Sequence, residues 1–304
     1  MGKVAFLFPG QGAQVMNMGK DFYDKYDSVK EIFKTAKDAS GIDLEELIFT
    51  ENEKLNITEY TQIALLTTEV AMLKVISDMG IKPDYCAGLS LGEYGCLAAG
   101  NVMSNEDLFK LIRQRGIYMQ NAYPEGGAMM AVLGLDADTI AKVLETVDGI
   151  VSIANDNCPG QIVITGEETA VTKAGATLTE NGAKRCIPLK VSGPFHSKLL
   201  EGAGELLAKD LEGVNINIPG IPYISNVTAN VVDSSDSIKD LLAKQVSSPV
   251  RFRESILKLV ELGVDTFVEI GPGKTLSGFI KKTDRELKCI NIEKVEDLEK
   301  LGEL

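Results

Sequence analysis

A chain of 304 residues, 44% apolar and 25% charged, is long enough to bury a large core, either as one domain with an insert or as two domains. Its net charge of −13 argues against a nucleic-acid partner, because phosphate binding needs a basic surface and no run of Lys and Arg stands out. Five cysteines, at 86, 96, 158, 186 and 289, form neither a metal-ligand spacing nor an even disulfide framework, so a reducing cytoplasm is the expected setting.

The first apolar run, VAFLF at 4–8, ends at Pro9-Gly10 and is too short for a signal-peptide core or a membrane span. It reads as a buried strand, with neither export nor anchoring expected. FPGQGAQ at 8–14 follows it directly and offers Gln11 between glycines; it fails as a dinucleotide fingerprint because Val15 stands where the third glycine is needed. Next comes TEYTQIALLTTEVAMLKVISDMG at 58–80, whose apolar residues recur at helical spacing and which closes on Gly80, a candidate C-cap. It predicts a buried core helix crossing between parallel strands. The second strand, YCAGL at 85–89, runs into GLSLGEYG at 88–95, where Ser90 sits in a G-x-S-x-G pattern. Ser90 and Glu93 also fit a helix capping box, which would explain both residues without chemistry. A capping box does not require Gly88 and Gly92, whereas a sharp strand-to-helix turn that exposes a serine oxygen does need small neighbours.

From 125 to 191 the texture changes. AMMAVLGL, a helix over 136–146, GIVSIAN, QIVITG, a helix over 167–181 and AKRCIPLK give the order strand-helix-strand-strand-helix-strand. That order predicts a ferredoxin-like small domain inserted into the larger one. YPEGG at 123–127 and VSGP at 191–194 supply the turns expected at its boundaries. The chain then divides into a catalytic domain, 1–124 and 192–304, and a subdomain, 125–191. Two further strands, PYISNV at 222–227 and DTFVEIG at 265–271, complete a mostly parallel α/β sheet. GPGKT at 271–275 lacks the upstream glycine of a P-loop, having Val268 there, so no nucleotide cofactor is expected.

A serine hydroxyl needs a base, and the chain has one histidine, His196. It lies in SGPFHS, where Pro194 suits a helix start and KLLEGAGELL continues with helical character; a positive helix end nearby would favour the neutral imidazole. The N–H of Leu91, just after the serine, is the usual first oxyanion donor at such an elbow. Arg115, in NEDLFKLIRQRGIYMQNA, reads equally as a surface cation or as a clamp for a substrate carboxylate.

FPGQGAQ, GLSLGEY, RQRG at 113–116, GAMMAVLG at 127–134, PGQIVITG at 159–166, GPFHS at 193–197 and GPGKTLSGF at 271–279 occur in this order over nearly the whole chain. Together they resemble the malonyl-CoA:acyl carrier protein transacylase family. The resemblance implies an α/β-hydrolase-like domain with a ferredoxin-like insert, and ping-pong acyl transfer in fatty acid synthesis. Ser90 would carry the malonyl group from malonyl-CoA to the phosphopantetheine thiol of acyl carrier protein. His196 would act as base and then acid, its other ring nitrogen held by the main-chain carbonyl of Gln245. The oxyanion donors would be Leu91 and Gln11, and Arg115 would bind the malonyl carboxylate. Asn157 matches a family asparagine near the histidine, with Asn155 the alternative. Leu89 stands where the family usually has histidine, a change expected to affect pocket shape more than mechanism. Gly193 replaces a small aliphatic residue, a minor change in backbone freedom.

Three rivals remain: an esterase-type serine hydrolase, a transacylase of different acyl specificity, and a non-catalytic carrier-protein scaffold. The first normally adds an acid between serine and histidine, and no acid there is distinctive. Acyl carrier proteins are acidic, so docking on a chain of −13 calls for a local basic patch. The candidates are Lys184, Arg185, Lys190 and Lys198, or Arg251, Arg253, Lys281 and Lys282.

Overall fold

The computed structural model describes residues 2–191 and 193–304; Ser192, within the expected boundary turn at 191–194, lies outside the described residues, as does Met1. The strands in chain order are β1 (Lys3–Phe8), β2 (Tyr85–Gly88), β3 (Gly127–Leu133), β4 (Val151–Cys158), β5 (Gln161–Glu167), β6 (Arg185–Pro188), β7 (Tyr223–Ile224), β8 (Val231–Val232), β9 (Val264–Ile270) and β10 (Lys288–Ile292). The α-helices are α1 (Lys20–Lys25), α2 (Asp27–Ser40), α3 (Leu44–Phe49), α4 (Thr58–Asp78), α5 (Gly92–Ala99), α6 (Asn105–Ala122), α7 (Ala137–Leu144), α8 (Glu168–Glu180), α9 (Glu201–Glu212), α10 (Ile238–Gln245), α11 (Phe252–Glu261) and α12 (Thr275–Thr283).

The strands form a mixed α/β architecture of two sheets. In the larger, the order is β10-β9-β1-β2-β7-β8, parallel except for β8 at the edge. β1 shows why its sequence is apolar at every position from Val4 to Phe8. Phe6 and Phe8 pack with the α4 side of the sheet, while Ala5 and Leu7 pack with Phe252, Phe267 and Phe279 on the other. A parallel strand covered on both faces has no position for a solvated side chain. α4 is buried on nearly every side, from Thr61 to Ile76 apart from Lys74, as its sequence predicts. Its C-cap is Met79, and Gly80 follows in the left-handed region at φ 81°.

One expectation for this sheet needs correction, and two strands are new. PYISNV contributes only Tyr223 and Ile224 as strand, because Ser225 and Asn226 leave the ladder to bond elsewhere. β8 and β10 were not anticipated: β8 is two residues long, and KCINI at the other edge mixes polar with apolar residues.

The smaller sheet has the order β4-β5-β3-β6 and is antiparallel throughout. α7 and α8 pack over its own core of Val132, Ile140, Ile164, Val171 and Leu178. β4 also docks on the larger unit, where Asp156 N–H donates to the Val250 carbonyl at 3.0 Å and Val250 N–H donates to the Ala154 carbonyl at 2.8 Å. Among the described residues, no helix is long and apolar enough to cross a membrane.

Candidate active site

β2 ends at Gly88 and α5 begins at Gly92, so Ser90 stands at the apex of a three-residue reversal. Its φ of 54° is left-handed, a conformation that costs a non-glycine residue energy and persists only where the surroundings enforce it. The two flanking glycines are required by close approach. A Cβ on Gly88 would lie 2.0 Å from the Gly92 carbonyl carbon, and one on Gly92 would lie 2.0 Å from the Phe8 carbonyl oxygen. The capping-box reading is not realised. Glu93 accepts instead from Asn226 N–H at 3.1 Å and from Gln245 Nε2 at 2.6 Å.

Ser90 Oγ lies 2.7 Å from His196 Nε2. His196 Nδ1 lies 2.9 Å from the Gln245 carbonyl and 3.2 Å from that of Ser248. Carbonyl oxygens only accept, so Nδ1 carries the proton, Nε2 is bare, and the serine O–H donates to it. No carboxylate contacts the imidazole among the described residues, which separates this pair from the esterase arrangement. The imidazole is held neutral by burial first and then by the Arg115 charge, which together lower its pKa to about 4. The expected cause, a helix starting at Pro194, is not found: His196 lies in a turn, and α9 begins only at Glu201.

Arg115 is 1% exposed. Its Nη1 donates to Gln62 Oε1 at 2.6 Å, and its Nη2 donates to Ser90 Oγ at 3.1 Å and Gln245 Oε1 at 3.0 Å. The guanidinium also lies against the Tyr94 ring, 5.5 Å from its centroid. Among the described residues no carboxylate pairs with it, and its Nε has no partner. The surface-cation reading is therefore excluded. A buried guanidinium whose hydrogen bonds all go to neutral groups, with the buried Glu93 carboxyl acting on it only through space, can receive a carboxylate from outside the protein.

These groups open into a cavity of about 280 Å³. Its rim on the larger unit includes Gln11, Leu89 and Leu91, and the smaller sheet supplies Met129, Ala131 and Val163. Gln11 Nε2 donates to Thr58 Oγ1 at 3.0 Å, which pins the loop after β1 to the start of α4. Asn155 and Asn157 both line the cavity, two residues apart on one face of β4, while Asp156 between them pairs with Arg253. Asn157 Oδ1 is buried without a partner. Among the described residues, no group of three or more His, Cys, Asp or Glu could hold a metal ion. The GPGKT turn offers no phosphate cradle, since Glu269 already accepts from Leu276 N–H, Ser277 N–H and Ser277 Oγ at the head of α12.

With this geometry in place, the family model of the acyl transferase domain matches residues 5–304. The chain belongs to this acyl transferase family. The acyltransferase is 47% identical to a malonyl CoA-acyl carrier protein transacylase of Bacillus subtilis (strain 168), over 98% of this chain and 96% of that one. It is 44% identical to the crystal structure of malonyl CoA-acyl carrier protein transacylase from Clostridium perfringens, with a TM-score of 0.95 over 99% and 96% of the two chains. A third relative is a malonyl-transacylase solved in complex with a type II PKS acyl-carrier protein, 38% identical with a TM-score of 0.96 over 99% of each chain.

Sequence reasoning missed four members of this site: Gln62, Tyr94, Asn226 and the Ser248 carbonyl. Gln62 sits in a helix that reads as plain core, and Tyr94 follows the elbow without a signal of its own. Asn226 had a signal, an amide within the mostly apolar run PYISNV, which a strand alone does not explain.

Proposed function

We propose that this chain transfers the malonyl group of malonyl-CoA to the phosphopantetheine thiol of acyl carrier protein through a malonyl-serine intermediate, in fatty acid biosynthesis. One observation carries the reading: Ser90 Oγ meets both a neutral imidazole, at 2.7 Å, and a buried guanidinium, at 3.1 Å. The first makes a nucleophile and the second selects an acyl group with a free carboxylate. His196 takes the serine proton as Oγ attacks the thioester carbonyl, then returns it to the departing CoA thiolate. The same steps in reverse pass the acyl group to the carrier thiol. The N–H groups of Leu91 and Gln11 stabilise the oxyanion, from the two loops that flank the serine. Gln245 holds the imidazole through its carbonyl and steadies Arg115 through its side chain. Asn157, with its unpartnered buried oxygen, is favoured over Asn155 as the polar wall beside the acyl group.

The division into a catalytic domain, 1–124 and 192–304, and a subdomain, 125–191, belongs to this reading. The order β4-β5-β3-β6 supports a ferredoxin-like insert, and the strand-serine-helix elbow supports an α/β-hydrolase-like frame. The acyl carrier protein approaches the rim where exposed Lys190 follows Leu189 and where Lys282 Nζ donates to Gln161 Oε1 at 2.8 Å; Leu189 and Gln161 both line the cavity. Arg251 and Arg253 are less suited, being engaged by Glu254 and Asp156. The free cysteines fit a cytoplasmic location.

The test is intact-mass analysis after incubation with a mixture of acyl-CoAs. The expected result is a single malonyl adduct, mapped to Ser90 and discharged by acyl carrier protein. An acetyl or longer adduct in preference would move the chain to another acyl specificity, and malonyl hydrolysis without acceptor at the rate of transfer would favour the esterase reading.

A further inference from the structure

Taking Ser90 as the nucleophile, as proposed above, we infer that Asn226 is a positioning residue, whose side-chain amide holds the left-handed elbow and so aims Ser90 Oγ at His196. Asn226 is fully buried and lies 136 positions beyond the serine. Its Oδ1 accepts from Ser90 N–H at 2.7 Å, and its Nδ2 donates to the Gly88 carbonyl at 2.7 Å. One planar amide thus spans the turn, bonding the residue at its apex and the residue two before it. A flipped amide would set N–H against N–H and oxygen against oxygen, so this orientation is fixed by its partners.

The asparagine is itself held at both ends of its backbone. Its N–H donates to Glu93 Oε2 at 3.1 Å, in the first turn of α5, and its carbonyl accepts from Arg251 N–H at 3.0 Å, ahead of α11. The elbow needs this help. At φ 54° Ser90 has left the β2 ladder, and its N–H finds its acceptor in a side chain brought from the end of β7. Gln245 Nε2 adds a second tie, to the Ser90 carbonyl at 2.9 Å, but this leaves the amide side of the serine to Asn226 alone. Without the amide the serine is free to relax toward a less costly φ, which swings Oγ away from Nε2. A misplacement of about 1 Å at reacting atoms costs roughly 10²-fold in rate.

The experiment labels Ser90 in the parent chain, Asn226→Ala and Asn226→Asp, once with a fluorophosphonate, which needs no acyl-CoA site, and once with malonyl-CoA, and reads the rate constant per labelled site. Asn226→Ala is expected to lower that constant about 10²-fold with both reagents, while KM for malonyl-CoA stays within about threefold. A merely structural role would instead reduce the number of sites that label and leave the constant at each unchanged. Asn226→Asp keeps the volume and the acceptor for Ser90 N–H but loses the donor to Gly88, so a loss of about tenfold is expected, and it decides the matter if the alanine variant does not fold. Per-site constants within about threefold of the parent in a folded variant would overturn the inference. Peptide mapping separates the two levels: label absent from Ser90 in the parent overturns the nucleophile reading and this one with it, whereas mapped label at the parent rate in the variants overturns this one alone.

Discussion

The floor and the wall of the cavity are built on opposite plans. The floor comes from the larger unit, where Ser90, His196, Arg115, Gln245, Glu93 and Asn226 are joined by hydrogen bonds that run from one to the next. The wall comes from the smaller sheet, where Met129, Ala131 and Val163 present an apolar surface and Asn157 keeps an unpartnered oxygen. A floor with several constraints on each atom fixes the place where bonds change. An apolar wall fixes only the shape of what may lie there. Changes at Ser90, His196 and their partners in the floor should therefore act on the rate of chemistry, changes at Arg115 on whether a carboxylate is accepted, and changes to the wall on the bulk of acyl group admitted.

The largest effect expected is from Ser90→Ala, which removes the nucleophile and little volume; covalent adduct and transfer should both vanish by intact-mass assay while the circular dichroism spectrum is kept. His196→Ala should cost roughly 10² to 10⁴ in acylation rate, and the loss should remain when pH is raised. Transfer at nearly the parent rate would make the sole histidine structural.

Arg115→Ala should lower kcat/KM for malonyl-CoA by about 30- to 4,000-fold, the equivalent of losing about 2 to 5 kcal/mol from a buried charge contact, and leave acetyl-CoA similar or improved. Arg115→Lys should recover only part, since an ammonium lacks the two-pronged geometry. Equal losses for both substrates would assign Arg115 to the fold.

The same arginine should be visible in the pH profile. His196 is depressed from 6.5 to about 4, so the free enzyme keeps its base down to that region, and the acid limb of kcat/KM should fall near 4. For stability the sign is that of a depressed base. The unfolded chain takes up the proton first, so stability from this group is full above 6.5 and declines as pH falls from there toward 4. Arg115→Ala removes the second of the two causes, and the acid limb measured with acetyl-CoA should move up toward the ordinary histidine value. An unmoved limb would leave burial as the whole cause.

Smallest is the effect expected at the cavity lining. Leu89→His and Met129→Ala should each change malonyl transfer by less than about tenfold, under ~1.4 kcal/mol, with Met129→Ala raising the tolerance for bulkier acyl-CoAs. A larger gain from Leu89→His would show that the missing histidine matters to the chemistry, and a Met129→Ala loss as deep as that of His196→Ala would erase the distinction between floor and wall.

How far the sequence revealed this molecule depended on whether a pattern was local. The smaller antiparallel sheet was legible strand by strand, because AMMAVLGL, QIVITG and the helices beside them each carry their own period. The two edge strands were not, since the pairing of β8 and β10 comes from neighbours far along the chain. At the site, Ser90, Gly88 and Gly92 were legible from the geometry of a tight turn. The pairing of Ser90 with His196 across 106 positions could be suspected only because one histidine exists. Glu93 misled, since the same spacing that makes a capping box here serves a buried network. The neutral state of the imidazole was foreseen for the wrong reason, a helix end in place of burial and Arg115.

Arg115 also couples substrate to heat resistance. A guanidinium buried among amides, a hydroxyl and an aromatic ring is bonded to no carboxylate among the described residues and feels buried Glu93 only through space, so the folded chain bears part of the desolvation cost of its charge. A ligand that brings a carboxylate to it binds only the folded state, so the free energy of unfolding rises with occupancy, by about 2.7 kcal/mol at a hundred times Kd, and the melting temperature rises with it. The carboxylate-bound protein is then the more durable form, and each release of that ligand returns the chain to its softer one.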